Sequence, residues 1–162
     1  MMRAALFDSN VLIDHFSGVH QATIELGYFD DAAISAVTWS ELMVRFYATR
    51  AVGLITQDEF VDSKDFLESF EVIQISPNIL DHASIIRAHC LTNTGPKLKL
   101  PDAVIKATSE INGRLLVSRN FNDFPLGPNV RIPYRLHTNI TVKVLTPPAE
   151  VIYTVTDIAP SP

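Results

Sequence analysis

Residues 100–124 read LPDAVIKATSEINGRLLVSRNFNDF. Pro101 is placed to open a helix, because the N–H it lacks is one that no intrahelical carbonyl would accept. Ala103, Ala107 and Ile111 recur at helical spacing and predict one apolar face. Asn112-Gly113 stops that helix. Leu115–Val117 follows as a short buried strand, and the loop from Ser118 to Asn129 carries Asp123. An acid therefore stands at the start of the helix (Asp102) and another just past the strand (Asp123).

Upstream, the same alternation repeats. Arg3–Phe7 (RAALF) predicts a strand that ends in the turn chemistry of Asp8-Ser9-Asn10. Helices are expected over about Val11–His15 and Gln21–Gly27, and a strand over Asp31–Ser35. Thr38–Arg50 predicts a helix with Trp39, Leu42, Met43 and Phe46 on its apolar face and a Thr38/Glu41 capping box. Thr56 and Glu59 form a second capping box, for a helix to about Phe70 with Phe60, Leu67 and Phe70 inward. Glu71–Ile75 reads as a strand, and Ser76-Pro77 opens a helix with Ile79, Ala83, Ile86 and Cys90 on one face. Thr92–Lys99 has no period and reads as a loop.

Beyond Val130 the pattern weakens. VRIPY suits an edge strand, since Pro133 cannot donate to a central ladder, and TVKVL (141–145) is a further candidate strand. Pro147, Pro148, Pro160 and Pro162 predict a frayed end. One domain over 1–135 is expected, with 136–162 as an extension that reads as an edge strand followed by a flexible tail or, alternatively, as part of a dimer contact. Strands alternating with helices imply a three-layer α/β/α arrangement around a short parallel sheet. Sites in such sheets form beyond the carboxyl ends of the strands, where Asp8 and Ser118–Asp123 fall.

The composition narrows the function. With 162 residues the chain can bury a core without disulfides, and its single cysteine, Cys90, forms no internal one, which suits a reducing compartment. No run approaches the roughly 18 apolar residues of a membrane helix, and no signal peptide is visible, so a cytoplasmic protein is expected. A net charge of −5 argues against a simple basic nucleic-acid-binding module. It is compatible with an enzyme whose acidic site binds divalent cations. No phosphate-cradling glycine loop is present, and His15, His20, His82, His89 and His137 lack metal-ligand spacing and read as structural or surface residues.

Four acids stand at element ends: Asp8, Glu41, Asp102 and Asp123. Each alone has an ordinary structural reading as a turn, cap or helix-dipole residue. Together they suggest a metal site. Asp8 in FDSNVLID and Asp102 in LKLPDAVIKA lie among apolar neighbours, where an unpaired carboxylate is expensive. A hard, oxygen-seeking cation such as magnesium or manganese relieves that cost and suits phosphodiester hydrolysis. Asp14, one turn past Asn10, reads as surface charge.

FDSNVLID (7–14), ISAVTWSEL (34–42) and residues 100–124 together resemble, in order and spacing, the acidic motifs of PIN-domain proteins, in particular VapC-like toxin ribonucleases of type II toxin–antitoxin systems. The resemblance spans residue 3 to about Tyr134, and the chain runs on past the family's usual end. It implies a magnesium- or manganese-dependent endoribonuclease, hydrolysing RNA with a metal-activated water held by Asp8, Glu41, Asp102 and Asp123. Asp8 and Asp102 would be the direct metal ligands, with Asn10, Ser118 and Asn120 as orienting polar companions. Lys97, Lys99, Lys106 and Arg119 are the candidate phosphate contacts, ahead of Arg45 and Arg50. A cognate antitoxin and a homodimer are implied as partners. The alternatives are a catalytically silent PIN-like RNA-binding or scaffold protein and a DNA-directed PIN nuclease.

Overall fold

The computed structural model describes residues 4–93, 97–125, 127–143 and 150–157. Apolar strands feed helices in turn: β1 (Ala4–Phe7), α1 (Ser9–Phe16), α2 (His20–Leu26), β2 (Asp31–Ser35), α3 (Ala36–Ala51), α4 (Gln57–Glu68), β3 (Glu71–Ile73), α5 (Pro77–Thr92), α6 (Leu100–Ile111), β4 (Leu115–Val117) and β5 (Val130–Arg131). The strands form one five-stranded sheet in the order β3-β2-β1-β4-β5. Every pairing in it is parallel.

Side chains alternate across the sheet, and the register divides the core in two. Phe7 lies beside Ile34 and Val117, and these three pack with Val11 and Leu12 of α1, Leu42 and Phe46 of α3, and Phe60 and Leu67 of α4. Leu6 lies beside Ala33 and Leu116, which pack with Ile79 and Ala83 of α5 and Ala103 and Ala107 of α6. Helices therefore cover both faces, giving the three-layer α/β/α fold with a short parallel sheet. Such double coverage explains why β1 and β4 are apolar at every position rather than alternating.

Most of the expected elements form, several with the anticipated signals. Thr56 and Glu59 make a full capping box, Ser76 caps α5 ahead of Pro77, and Asp31–Ser35 is a strand with those bounds. α6 ends in a Schellman motif, with Arg114 N–H donating to the Ser109 carbonyl at 3.0 Å across a left-handed Gly113 (φ 61°). Four expectations are corrected. α3 begins at Ala36, because the N-cap is Ser35, whose hydroxyl accepts the Thr38 N–H (3.0 Å), and not Thr38; Thr38 is fully buried inside the first turn and no capping bond from Glu41 is found among the described residues. Ile111 lies on the exposed side of α6, while Ala103 and Ala107 are buried. Asp14 is no surface charge but 5% exposed. Among the described residues the extension adds no edge strand to the main sheet: β6 (Leu136–Lys143) pairs antiparallel with β7 (Glu150–Asp157) as a separate two-stranded sheet, so part of the expected frayed end is a strand. Arg3, residues 94–96, the prolines at 147, 148, 160 and 162, and the side chain of His137 lie outside what is described.

Candidate active site at the carboxyl edge of the sheet

From β1 the chain moves outward through β2 to β3, then crosses back to place β4 on the other side of β1. The crevice beyond β1 and β4 is thus the point where the strand order reverses, the place where parallel α/β sheets hold ligands. Asp8 leaves β1 there, its N–H donating to the Val117 carbonyl at 3.0 Å, and Ser118 leaves β4 beside it.

Asp8 is the N-cap of α1, with extended backbone (φ −78°, ψ 155°), and is 4% exposed. Its Oδ1 accepts the Ser9 N–H at 2.7 Å. Its Oδ2 accepts both the Asn10 amide and the Ser118 hydroxyl, each at 2.7 Å. Asn10 also donates to Ser118 (3.1 Å) and accepts the Arg119 N–H (3.0 Å), so one side chain ties the start of α1 to the loop after β4. A carboxylate has room for about four donors, and these three strong bonds, with a longer one from the Ser9 hydroxyl to Oδ1 (3.5 Å), fix Asp8.

Burial pushes the Asp8 carboxyl up to about 6; the bonds from Ser118 and Ser9 oppose the rise, and the charges of Asp102 and Glu41 add to it. Asp102, in the first turn of α6, is also raised, mainly by burial and then by Asp123 and Glu41, with Lys99 pulling the other way. These mutual repulsions put Asp8, Glu41, Asp102 and Asp123 in one electrostatic neighbourhood although they come from α1, α3, α6 and the loop after β4. Among the described residues none of the four makes an ion pair with lysine or arginine. Glu41 is exposed, free of the capping role expected for it.

Asn120 holds Asp123: its amide donates to the Asp123 carboxylate and its Oδ1 accepts the Asp123 N–H at 3.4 Å. The Asn120 N–H donates in turn to Ser118 Oγ at 3.0 Å. Asn10, Ser118 and Asn120 are thus one continuous polar network. Lys97 and Lys99 are exposed, Lys106 lies 3.9 Å from Glu110, and Arg119 is engaged elsewhere. Its guanidinium is bound to Asp14, which also accepts the Tyr134 hydroxyl at 2.9 Å. This buried knot was missed in the sequence. Its signal was the spacing of Asp14 three residues after Val11 on the inward face of α1.

The donor set suits a hard divalent cation: carboxylate oxygens, mutually repelling, one of them buried and held rigid. Asp8 and Asp102 are the residues that would hold it, with Glu41 and Asp123 bordering them. Among the described residues no three Asp, Glu, His or Cys side chains already converge at metal-binding distances.

The PIN domain family matches residues 5–125 of the chain. Among curated proteins none gives a significant match. Among solved structures, the chain is similar to one in a toxin–antitoxin complex from Klebsiella pneumoniae, at 35% identity and a TM-score of 0.68, covering 82% of this chain and 99% of that one. Two more distant neighbours share the fold. One is a chain of VapBC2 from Rickettsia felis bound to a promoter DNA fragment (18% identity, TM-score 0.61, 78% of this chain and 94% of that one). The other is a chain of DNA-bound VapBC from Salmonella typhimurium (19%, 0.60, 81% and 96%).

Proposed function

The chain belongs to the PIN-domain family, and from that premise we propose that it is a divalent-metal-dependent endoribonuclease, the toxin of a toxin–antitoxin pair. The observation that carries the reading is the unneutralised acidic crevice at the strand-order reversal, with Asp8 buried and raised beside Asp102 and Glu41. A bound magnesium or manganese ion supplies Lewis acidity there and makes water a better nucleophile at neutral pH.

The chain's own residues do the rest. Ser9, Asn10 and Ser118 fix the Asp8 carboxylate against rotation. Asp102 faces it from α6, and Asn120 holds Asp123 at the rim. Lys97 and Lys99, both exposed ahead of α6, are the residues to meet an RNA backbone, a reading supported by the electrostatic pull of Lys99 on Asp102. The toxin assignment draws on the 35% identity to the Klebsiella pneumoniae complex. It brings with it a cognate antitoxin, a homodimer and a cytoplasmic setting. Among the described residues no helix is long and apolar enough to cross a membrane.

Purified protein is expected to cut single-stranded RNA with magnesium or manganese and to stop in EDTA. Asp102→Asn should stop it too, while keeping its circular-dichroism spectrum. Equal cleavage in all three conditions rejects the assignment. A second reading, a silent PIN-like RNA-binding protein, draws on the absence of three pre-converged ligands among the described residues. Calorimetry separates the two: the nuclease takes up magnesium in a carboxylate-dependent way, and the silent protein does not. Competition by DNA of the same sequence tests a DNA-directed nuclease.

A further inference from the structure

Next to the acidic crevice lies a cleft of about 440 Å³ that the acids do not line. Its walls include Asn10, Arg119, Asn120, Phe121 and Arg135. Two of these, Asn10 and Asn120, are the residues that hold Asp8 and Asp123, so the cleft opens from the acidic site. Its volume falls within the roughly 300–1,000 Å³ usual for ligand sites.

The cleft has an unusual floor. Phe121 is 41% exposed on the loop between β4 and β5 and belongs to neither core cluster. The Arg135 guanidinium lies over its ring, 4.8 Å from the centroid. Arg135 has no acidic partner among the described residues, unlike Arg119, which is bound to Asp14, and Arg131, which is bound to Glu25. An aromatic ring and an uncommitted guanidinium, stacked and open to water, form a platform for a flat π system. A nucleobase fits it. It stacks on aromatic and guanidinium planes, and the phosphate of the same nucleotide complements the Arg135 charge. The Asn120 amide at the boundary of the two sites offers donor and acceptor atoms to a base edge.

We propose that the Phe121–Arg135 stack is a base-binding subsite for single-stranded RNA, seating a nucleotide next to the scissile phosphate and setting which sequences are cut. This rests on the nuclease reading, since it assigns a subsite to that enzyme. A duplex keeps its bases stacked on each other and cannot present one to the platform, so the subsite selects unpaired RNA.

The test measures binding apart from cleavage. Asp102→Asn protein in EDTA is titrated with a fluorescein-labelled octaribonucleotide and followed by anisotropy. Adding Phe121→Ala is expected to weaken binding about tenfold, the order of one lost base–aromatic stack. Phe121→Trp should keep the affinity and show indole quenching on RNA addition, measured in a Trp39→Phe background. Arg135→Lys keeps the charge without the plane and should fall between. Against an octamer of the same length with abasic sugars, Phe121→Ala should change nothing. Equal affinity of the Phe121→Ala protein, an identical loss on the abasic strand, or tighter binding of single-stranded DNA than of RNA overturns the proposal. Phe121-dependent binding by a protein that cleaves nothing preserves the subsite and removes the nuclease. Cleavage with Phe121-independent binding does the reverse.

Discussion

The two edges of the parallel sheet handle negative charge in opposite ways. At the amino edge, Asp31 opens β2 and Glu71 opens β3, and Arg114, just before β4, bonds to both, to Asp31 Oδ1 at 2.7 Å. Nearby, Arg131 reaches Glu25 with Nη2 at 3.0 Å, and both arginines line the same cleft. At the carboxyl edge, Asp8, Glu41, Asp102 and Asp123 have no such partner among the described residues, and two of them are pushed toward their neutral forms. The amino edge spends its acids on joining strands. The carboxyl edge keeps them uncompensated, which costs stability in the metal-free protein and suits a cation brought from solution.

The sharpest way to separate the edges is by activity. Asp102→Asn should lower RNA cleavage on the order of a thousandfold, equivalent to about 4 kcal/mol of transition-state stabilisation, while Asp31→Asn leaves it within about twofold. Comparable losses from both would erase the distinction.

Proton linkage gives the next largest effect. The folded-state value of Asp8, about 6, lies above its ordinary 3.8, so the folded protein binds the extra proton between these values. The contribution of neutral Asp8 is fully present below pH 4 and lost as the pH rises through 6, amounting to about 3 kcal/mol by pH 7. Denaturant melts in EDTA across pH 4–7.5 should show this decline, and Asp8→Asn should flatten it. An unchanged slope in the variant would contradict the burial-driven shift.

Metal addition should offset that penalty. At a hundredfold excess over its dissociation constant a ligand stabilises by about 2.7 kcal/mol. Magnesium or manganese should therefore raise the melting temperature by roughly 5–10 °C, and Asp102→Asn should cancel the rise. Arg114→Met comes last. It should cost about 1–2 kcal/mol and leave cleavage intact, because Glu71 and Asp31 stay partly solvated and can rehydrate. A loss of cleavage there would mean that the two edges are coupled.

The fold was legible wherever a local signal and the burial pattern agreed. Thr56-x-x-Glu59 and Ser76-Pro77 state their helix starts in a few residues, and the apolar run of β1 announces a strand covered on both faces. Legibility failed where two local signals competed. Ser35 and Thr38 are both competent caps, and only the packing that buries Thr38 decides between them. It failed again for the antiparallel pairing of β6 with β7, because a strand's partner is a tertiary property and Pro147 and Pro148 stand between the two strands in sequence. In the site, Asp8 past β1, Asp102 in the first turn of α6 and Asp123 in the loop after β4 stand where the sequence put them, whereas Glu41 lies a turn inside α3 and not at its start. The engagement of Arg119 by Asp14 could not be read, since it joins residues 105 apart, and a basic residue beside a loop looks the same whether it faces phosphate or a buried carboxylate.

The clamp on Asp8 has a consequence for how the molecule comes into being. Its second Oδ2 donor, the Ser118 hydroxyl, lies 110 residues downstream. During translation the first acid emerges at once but cannot be locked in place until β4 has cleared the exit tunnel and inserted beside β1. The proposed nuclease would thereby have no fixed Asp8 until residues 1–118 had all been made, so its geometry would arrive late in synthesis.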